Sequence, residues 1–307
     1  MRAASTPGRT LEPSTWAQAT ATSATRKRAH APADLPATSA LSWAALGGVL
    51  ALLFHGHMFH VEGGGLSTGG ASFGDLALHA TLAHHFASKP VDLGSPLVAG
   101  APLTYPFLGD FLVACLMRGG WSLATAFAVT GWVTAMIGLG LVQAVVVRLS
   151  RSSAAATIAV WLIVLSGSAA GVYYAAVDLA HRGLPSDLAA LPSYAHDRGR
   201  GLVWSNFVAD FLLPQRALLA ALPAAWAAVW ALRASVDDDA PRARPLAAVL
   251  IGALPLLHVH TFLVLFGLLG WTAVMQALRA PPAARGWALA LALAAALAAS
   301  TTTNMNA

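Results

Sequence analysis

The run WSLATAFAVTGWVTAMIGLGLVQAVVV, residues 121–147, decides the fold because it carries no charged residue over its whole length. A helix that crosses a bilayer needs about 20 predominantly apolar residues. Further apolar runs occupy residues 41–54, 155–174, 217–232 and 246–278, and an Ala/Leu-rich run follows Arg285. The pattern predicts an all-α protein, a polytopic transmembrane helical bundle of about seven membrane segments.

Composition places the chain in the same class. Of its 307 residues, 57% are hydrophobic and only 10% are charged, whereas soluble domains carry about 25% charged residues. The net charge of +5 is scattered among short loops, so we expect membrane lipid as a partner and no nucleic acid. The single cysteine, Cys115, excludes an intramolecular disulfide and a cysteine metal cluster.

Basic residues predict how the chain crosses the membrane. Residues 1–40 are rich in Ala, Thr, Ser and Pro and are predicted to be a disordered cytoplasmic tail, followed by a transmembrane domain over 41–307. Together with the loops 148–151, 233–244 and 279–285, this tail holds 12 Lys and Arg against 5 Asp and Glu. The rest of the chain holds 6 against 8. The asymmetry predicts a cytoplasmic N-terminus and cytoplasmic basic loops.

The same rule predicts a reversal inside the run 246–278, because this run has basic residues on both flanks. Pro255 and the sequence His258-Val259-His260 form the expected apex, since proline disrupts a helix interior. A kinked single crossing is the alternative. The hairpin arrangement would place residues 62–110, 178–213 and the apex on the outer side.

The outer segment 62–110 is the longest polar interval. Its stretch DLALHATLAHHFA, residues 75–87, predicts an amphipathic helix in the membrane interface. Asp75 and His79 share a helical face at i and i+4, so Asp75 can take a proton from an acceptor hydroxyl while His79 orients it. The alternative is that Asp75 caps the helix. Glu62 is either a second carboxylate of the site or a solvated loop charge.

Three further polar residues interrupt apolar sequence. Arg216 begins a membrane helix, where it can bind a phosphate in bidentate fashion or extend to the headgroups as an interfacial anchor. His258 and His260 lie where ionisable groups are costly, so they are either functional or bonded to backbone carbonyls at a helix break. Together with His55, His57 and His60, these two histidines could form a metal cluster. No Cys or carboxylate stands at tight spacing beside them, so we assign no metal ligand and leave a divalent metal cofactor open.

Four stretches carry a resemblance to a known family. They are FGDLALHATLAHHFA (73–87), AGAPLTYPFLGDFL (99–112), LLPQR (212–216) and LPLLHVHTF (254–262). In this order they resemble bacterial members of the C-type (GT-C) integral-membrane glycosyltransferases. That superfamily includes dolichyl-phosphate-mannose protein mannosyltransferases and lipid A aminoarabinose transferases.

The resemblance implies a function and a location. Asp75 matches the first-loop acidic residue that acts as general base, and the donor would be a polyprenyl-phosphate sugar whose lipid phosphate leaves in an inverting transfer. Arg216 is our candidate for that phosphate, and His258, His260 and Glu62 are our candidates for other substrate contacts. The implied location is the bacterial inner (plasma) membrane.

The sequence departs from the family pattern in two ways. Many members carry paired acidic residues in the first loop, whereas Asp75 stands between Gly74 and Leu76. The chain also ends at STTTNMNA, where relatives usually continue, so a C-terminally incomplete protein is expected. The alternatives to a transferase are a histidine-lined membrane transporter or metal-binding protein, and an inactive fragment.

Overall fold

The computed structural model describes residues 37–62, 65–68, 73–90, 92–167, 169–183, 194, 198–201, 206–237 and 240–304. Within these ranges the chain is almost entirely helical. The α-helices are α1 (Ala37–Gly56), α2 (Phe73–Ser88), α3 (Leu108–Arg118), α4 (Leu123–Ser150), α5 (Ser153–Val164), α6 (Ala169–Arg182), α7 (Arg216–Asp237), α8 (Ala243–Ala253), α9 (Val259–Arg279) and α10 (Ala284–Asn304). Short 3₁₀ turns cover Arg198–Arg200, Leu254–Leu256 and Pro281–Ala283, and a π-helical turn covers Phe207–Leu212.

Four helices of the described chain are long and apolar enough to cross a bilayer: α4, α7, α9 and the segment Pro281–Thr301 around α10. Large apolar side chains cover their outer surfaces, among them Val264 (70% exposed) and Leu289 (71% exposed). Exposed apolar surface on this scale is typical of a surface that contacts lipid or another protein. The all-α prediction is therefore confirmed, together with four helices that are long and apolar enough to span a membrane. The apolar parts of α1, α5 and α8 are shorter, and the count of about seven crossings stays a prediction.

Helix α4 is the centre of the bundle, and its neighbours define its direction. A Cβ on Gly131 of α4 would lie 2.6 Å from Nη1 of Arg216, at the start of α7. Near the other end of both helices, Arg148 approaches Asp237 at 3.9 Å. Helices α4 and α7 therefore run parallel.

Helix α1 runs antiparallel to α4. Trp43, near the start of α1, donates through Nε1 to Oε1 of Gln143 near the end of α4, at 2.6 Å. Phe54, near the end of α1, would contact a Cβ on Gly131 near the start of α4. The start of α1 thus lies at the same end of the bundle as the C-terminal ends of α4 and α7.

The chain reverses between α8 and α9, as the sequence predicts. Arg244 near the start of α8 lies over the ring of Trp287 near the start of α10, at 5.0 Å, so α8 and α10 begin together. Gly270 of α9 faces Leu291 of α10, and α9 ends where the short link to α10 begins. A 3₁₀ turn holds Pro255 at the break before α9. This geometry confirms the reversal but not that both arms cross the membrane.

These contacts divide the bundle into two ends. The described residues of the loops 148–151, 233–244 and 279–285 lie together at what we call the arginine end. The opposite, hairpin end carries the β-hairpin, α2, α3 and the turn 254–258. The predicted grouping of the basic loops is confirmed, while the membrane face that each end occupies stays a prediction.

The predicted single segment 155–174 is wrong. The chain leaves helical structure after Val164 and starts α6 at Ala169. The Ser166 hydroxyl donates to the carbonyl of Ile163 at 2.7 Å, and the Asn206 amide donates to the carbonyl of Ser166. Polar side chains therefore donate to backbone carbonyls at this exposed helix end, where the last carbonyls have no partner within the helix.

A β-hairpin in the first outer segment was also not predicted. Strand β1 (Phe59–Glu62) pairs antiparallel with β2 (Gly65–Thr68). Phe59 packs edge-on against Phe127 of α4, with ring centroids 5.3 Å apart, so the hairpin is fixed to the bundle. At the other boundary, α1 begins at Ala37, four residues before the predicted domain start, and residues 1–36 of the predicted tail lie outside the described residues.

Candidate functional site

Asp75 lies in the first turn of α2 and its side chain is exposed. Since the helix begins at Phe73, Asp75 is its third residue and does not occupy the capping position before the helix. A carboxylate in the first turn still interacts favourably with the positive end of the helix dipole. Asp75 is therefore presented to solvent on a regular helix, a position from which it can accept a proton.

His79 lies one turn further along α2 and is buried, with 1% of its surface exposed. Its Nδ1 atom lies 2.8 Å from Oδ2 of Asp110 on α3, which is also 1% exposed. His79 is therefore paired with Asp110, and the predicted pairing of His79 with Asp75 is wrong. A carboxylate that accepts from Nδ1–H leaves Nε2 as the basic nitrogen of the ring.

Tyr105 packs against the imidazole of this buried pair. Its ring packs edge-on to His79, with centroids 5.6 Å apart. Burial raises the pKa of the Tyr105 phenol above its ordinary value, and the negative charges of Asp110 and Asp75 raise it further. The phenol therefore stays protonated and lies within the electrostatic reach of both carboxylates.

Arg216 begins helix α7 as predicted, but its side chain is buried, with 4% of its surface exposed. The alternative that it extends to the headgroups as an interfacial anchor is therefore wrong. Its Nη2 donates to Oγ1 of Thr130 at 2.7 Å, and the guanidinium lies 4.9 Å from the centre of the Phe127 ring. Gly131 makes this position possible, because a Cβ there would lie 2.5 Å from Phe54 and 2.6 Å from the guanidinium.

The interior around Arg216 contains polar atoms without hydrogen-bond partners. In the described part of the chain these include Nε and Nη1 of Arg216 and Oδ1 of Asp110. The Asp110 carboxylate also acts on the guanidinium through space. Unpartnered buried donors and acceptors are costly, so this cluster has the capacity to bind a polar group between α3, α4 and α7.

The close packing of α3 on α7 brings Asp110 into this interior. A Cβ on Gly109 would lie 2.9 Å from the Cβ of Ala220 and 3.5 Å from the carbonyl oxygen of Arg216. Glycine therefore allows the first turn of α3 to approach the start of α7. Asp110 was missed by the sequence reasoning, although a lone carboxylate in an apolar helix is itself a signal of a functional or paired group.

His258 and His260 lie at the start of α9, also at the hairpin end. His258 is the N-cap of α9, and its Nδ1 accepts from the Thr261 backbone N–H at 3.3 Å and pairs with the Thr261 hydroxyl at 2.7 Å. The two imidazole rings are 5.4 Å apart. In the described residues these are the side-chain hydrogen bonds and ring contacts of the pair, so its side chains are not joined to Asp75 or Arg216.

Glu62 closes strand β1, where its backbone faces Gly65, but its side chain lies outside the described residues. No group of three or more His, Cys, Asp or Glu residues in the described ranges is arranged to hold a metal ion. The structure thus brings His79 together with the newly recognised Asp110 and Tyr105, and Arg216 together with Thr130. Asp75 lies on the same helix as His79, with its side chain exposed. The structure leaves His258 and His260 as a separate pair.

Comparisons of the chain with protein-family models, curated proteins and solved structures return no match. The resemblance to C-type glycosyltransferases therefore rests on the sequence motifs quoted above.

Proposed function

We propose that this protein is a membrane glycosyltransferase that moves a sugar from a polyprenyl-phosphate donor to an acceptor hydroxyl, with Asp75 as general base. The observation that carries the proposal is the exposed Asp75 carboxylate on a helix that the buried His79–Asp110 pair holds against α3. A catalytic group is most effective when rigid elements fix it. The apolar outer surface of the bundle suits a donor with a long hydrocarbon chain.

The reaction balances with this chain's residues alone. The Asp75 carboxylate takes the proton of the acceptor hydroxyl as its oxygen attacks the anomeric carbon of the sugar. The bond between that carbon and the phosphate oxygen breaks, and polyprenyl phosphate leaves with the electron pair. Attack from the face opposite the phosphate inverts the anomeric configuration. His79 and Asp110 act as positioning residues because they hold α2 and do not touch the reacting atoms.

Arg216 is proposed to bind the donor phosphate. The support is chemical, since two of its three guanidinium nitrogens have no partner in the described structure and a guanidinium suits phosphate oxygens. Its burial sets a condition: the phosphate has to enter the packing between α3, α4 and α7, or the guanidinium has to leave Thr130. His258 and His260 would line the sugar pocket if donor binding brings the start of α9 toward Asp75.

The test is the variant Asp75→Asn, assayed for transfer of radiolabelled mannose from polyprenyl-phosphate mannose in membranes. Asparagine keeps the size of the side chain but cannot take the proton, so we expect the transfer rate to fall by about 100-fold or more. The matched control is Asp92→Asn. Asp92 is on the same segment, its side chain is 41% exposed, and asparagine preserves its hydrogen bond to the Gly94 backbone.

A structural role for Asp75 would give a different result. The first-turn charge contributes only about 0.3–1 kcal/mol to helix stability, and Asp75→Asn would then lower the melting temperature slightly with little change in transfer. If Asp75→Asn kept full transfer activity with polyprenyl-phosphate mannose or with another polyprenyl-phosphate sugar, the assignment of Asp75 as general base would be refuted.

The metal-handling alternative rests on one observation, the 5.4 Å separation of the His258 and His260 rings. Two imidazoles at this distance can turn toward one ion, although a stable zinc site needs further ligands. Equilibrium dialysis with Zn²⁺ tests it. This alternative would be favoured if the wild-type protein binds Zn²⁺ stoichiometrically but transfers no sugar. The double variant His258→Ala/His260→Ala should then bind no Zn²⁺.

A further inference from the structure

The arginine end carries much more positive than negative charge. Its three loops contain seven arginines and three aspartates, which are Arg148, Arg151, Arg233, Arg242, Arg244, Arg279, Arg285 and Asp237, Asp238, Asp239. Part of the charge is neutralised within the protein, because Arg233 binds Asp237 at 2.7 Å and Arg148 approaches the same carboxylate.

Arg244 differs from Arg148 and Arg233 in forming no ion pair among the described residues. Its guanidinium lies over the indole of Trp287 at 5.0 Å, and its buried Nε atom has no hydrogen-bond partner in the described structure. Gly286 admits the guanidinium, since a Cβ there would lie 2.8 Å from Nη1. A stacked, oriented guanidinium that forms no ion pair within the described residues is prepared to bind an anion in bidentate fashion.

Arg285 is next to Gly286 in the chain, and an exposed apolar stripe begins one turn after it on α10. It precedes Gly286 at the start of α10 and its side chain is exposed. Leu289 and Leu293 follow at i+4 and i+8 on the same helical face and are 71% and 36% exposed. A charged group above an exposed apolar stripe, at the end of a membrane helix, matches a lipid headgroup with its hydrocarbon chain below.

We propose that Arg244 and Arg285, with the Trp287 indole behind them, bind the phosphate of an anionic phospholipid whose acyl chain lies along Leu289 and Leu293. Both the charge and the apolar stripe select this occupant over a free phosphate, which would use only the arginines. The lipid site is at the end of the bundle opposite Asp75 and does not depend on the proposed transferase activity.

The experiment is a titration of the purified full chain in detergent with phosphatidylglycerol and, separately, phosphatidylcholine, read by native mass spectrometry. We expect one phosphatidylglycerol to bind saturably and at least about tenfold more tightly than phosphatidylcholine, as expected for one or two charged hydrogen bonds. Arg285→Gln removes an exposed charge without disturbing the Trp287 stack and should weaken this binding about tenfold. Arg244→Lys keeps the positive charge but removes the bidentate guanidinium and its stacking on Trp287. This variant should also bind phosphatidylglycerol more weakly.

Arg151→Gln is the matched control because Arg151 is exposed at the same end but belongs to the end of α4. It should leave the affinity unchanged. An equal loss in Arg151→Gln and Arg285→Gln would mean diffuse charge attraction and would overturn the site. Equal binding of the two lipids by the wild-type protein, or displacement of phosphatidylglycerol by millimolar inorganic phosphate, would overturn the lipid assignment.

Discussion

The two ends of the bundle use the same residue types in opposite environments. At the arginine end, Arg233 and Asp237 form a short ion pair while their side chains remain 43% and 35% exposed. At the hairpin end, His79 and Asp110 are each 1% exposed and Arg216 is 4% exposed. Solvated charges cost little to keep and contribute little when paired, whereas buried charges are expensive unless their partners remain. The exposed Arg233–Asp237 pair therefore contributes little to stability, while the buried charges of the hairpin end constrain the packing of α2, α3, α4 and α7.

The largest effect should come from removing Asp110. In Asp110→Ala, both His79 and the buried Arg216 lose the nearby carboxylate, so we expect the free energy of unfolding to fall by about 3 kcal/mol or more. Asp237→Ala, at the arginine end, should cost no more than about 1 kcal/mol. Chemical denaturation of both variants in detergent micelles measures the difference, and equal costs would remove the distinction between the ends.

A smaller effect is expected at Gly131. In Gly131→Ala the new methyl group would meet Phe54 and the Arg216 guanidinium at about 2.5 Å, and such overpacking costs about 1–3 kcal/mol. Gly267→Ala on α9 is the control, because nothing lies within 4 Å of its Cβ position. There the better helix propensity of alanine should make the change neutral or slightly stabilising. Similar melting temperatures for the two variants would show that Arg216 is not tightly enclosed.

The smallest effect should be a pH dependence at the start of α9. Burial, and then the charge of His260, lower the pKa of His258 below its ordinary 6.5, and the Nδ1 atom that caps α9 is an acceptor only when unprotonated. The folded protein therefore binds the proton less readily than the unfolded chain. This contribution is complete above about pH 6.5 and is lost as the pH falls from there through the folded-state pKa.

The comparison of wild-type protein with His258→Gln measures this effect. Between pH 8 and pH 5 the wild type should lose up to about 1 kcal/mol more stability than the variant, the size of a helix cap. Parallel pH profiles of the two melting temperatures would show that His258 is not a pH-sensitive cap.

The parts of the fold that a sequence reveals are those that local patterns determine. The uncharged run at 121–147 predicts α4. Pro255, together with the basic residues on both sides of the run 246–278, predicts the reversal between α8 and α9. The hairpin β1–β2 also had a local signal, because Gly63 and Gly64 stand between two short β-prone runs.

The parts that could not be predicted depend on residues far apart in the chain. The break after Val164 has a local signal in Ser166-Gly167, but the hydrogen bond that it receives comes from Asn206, 40 residues away from Ser166. His79 is 31 residues from Asp110, and Arg216 is 86 residues from Thr130. Helical spacing correctly placed Asp75 and His79 on one helix. Asp75 is exposed and His79 is buried, because α3 packs on the side of α2 that carries His79, and this packing is not visible in the spacing.

The most direct test of the account is the accessibility of the two ends from outside the cell. In a Cys115→Ala background, single cysteines are introduced by Asp75→Cys and Arg285→Cys, and intact cells are treated with a membrane-impermeant maleimide. The account predicts labelling at position 75 in intact cells and labelling at position 285 only after permeabilisation. Labelling of position 285 in intact cells, or protection of position 75 until permeabilisation, would contradict an outward-facing site at the hairpin end.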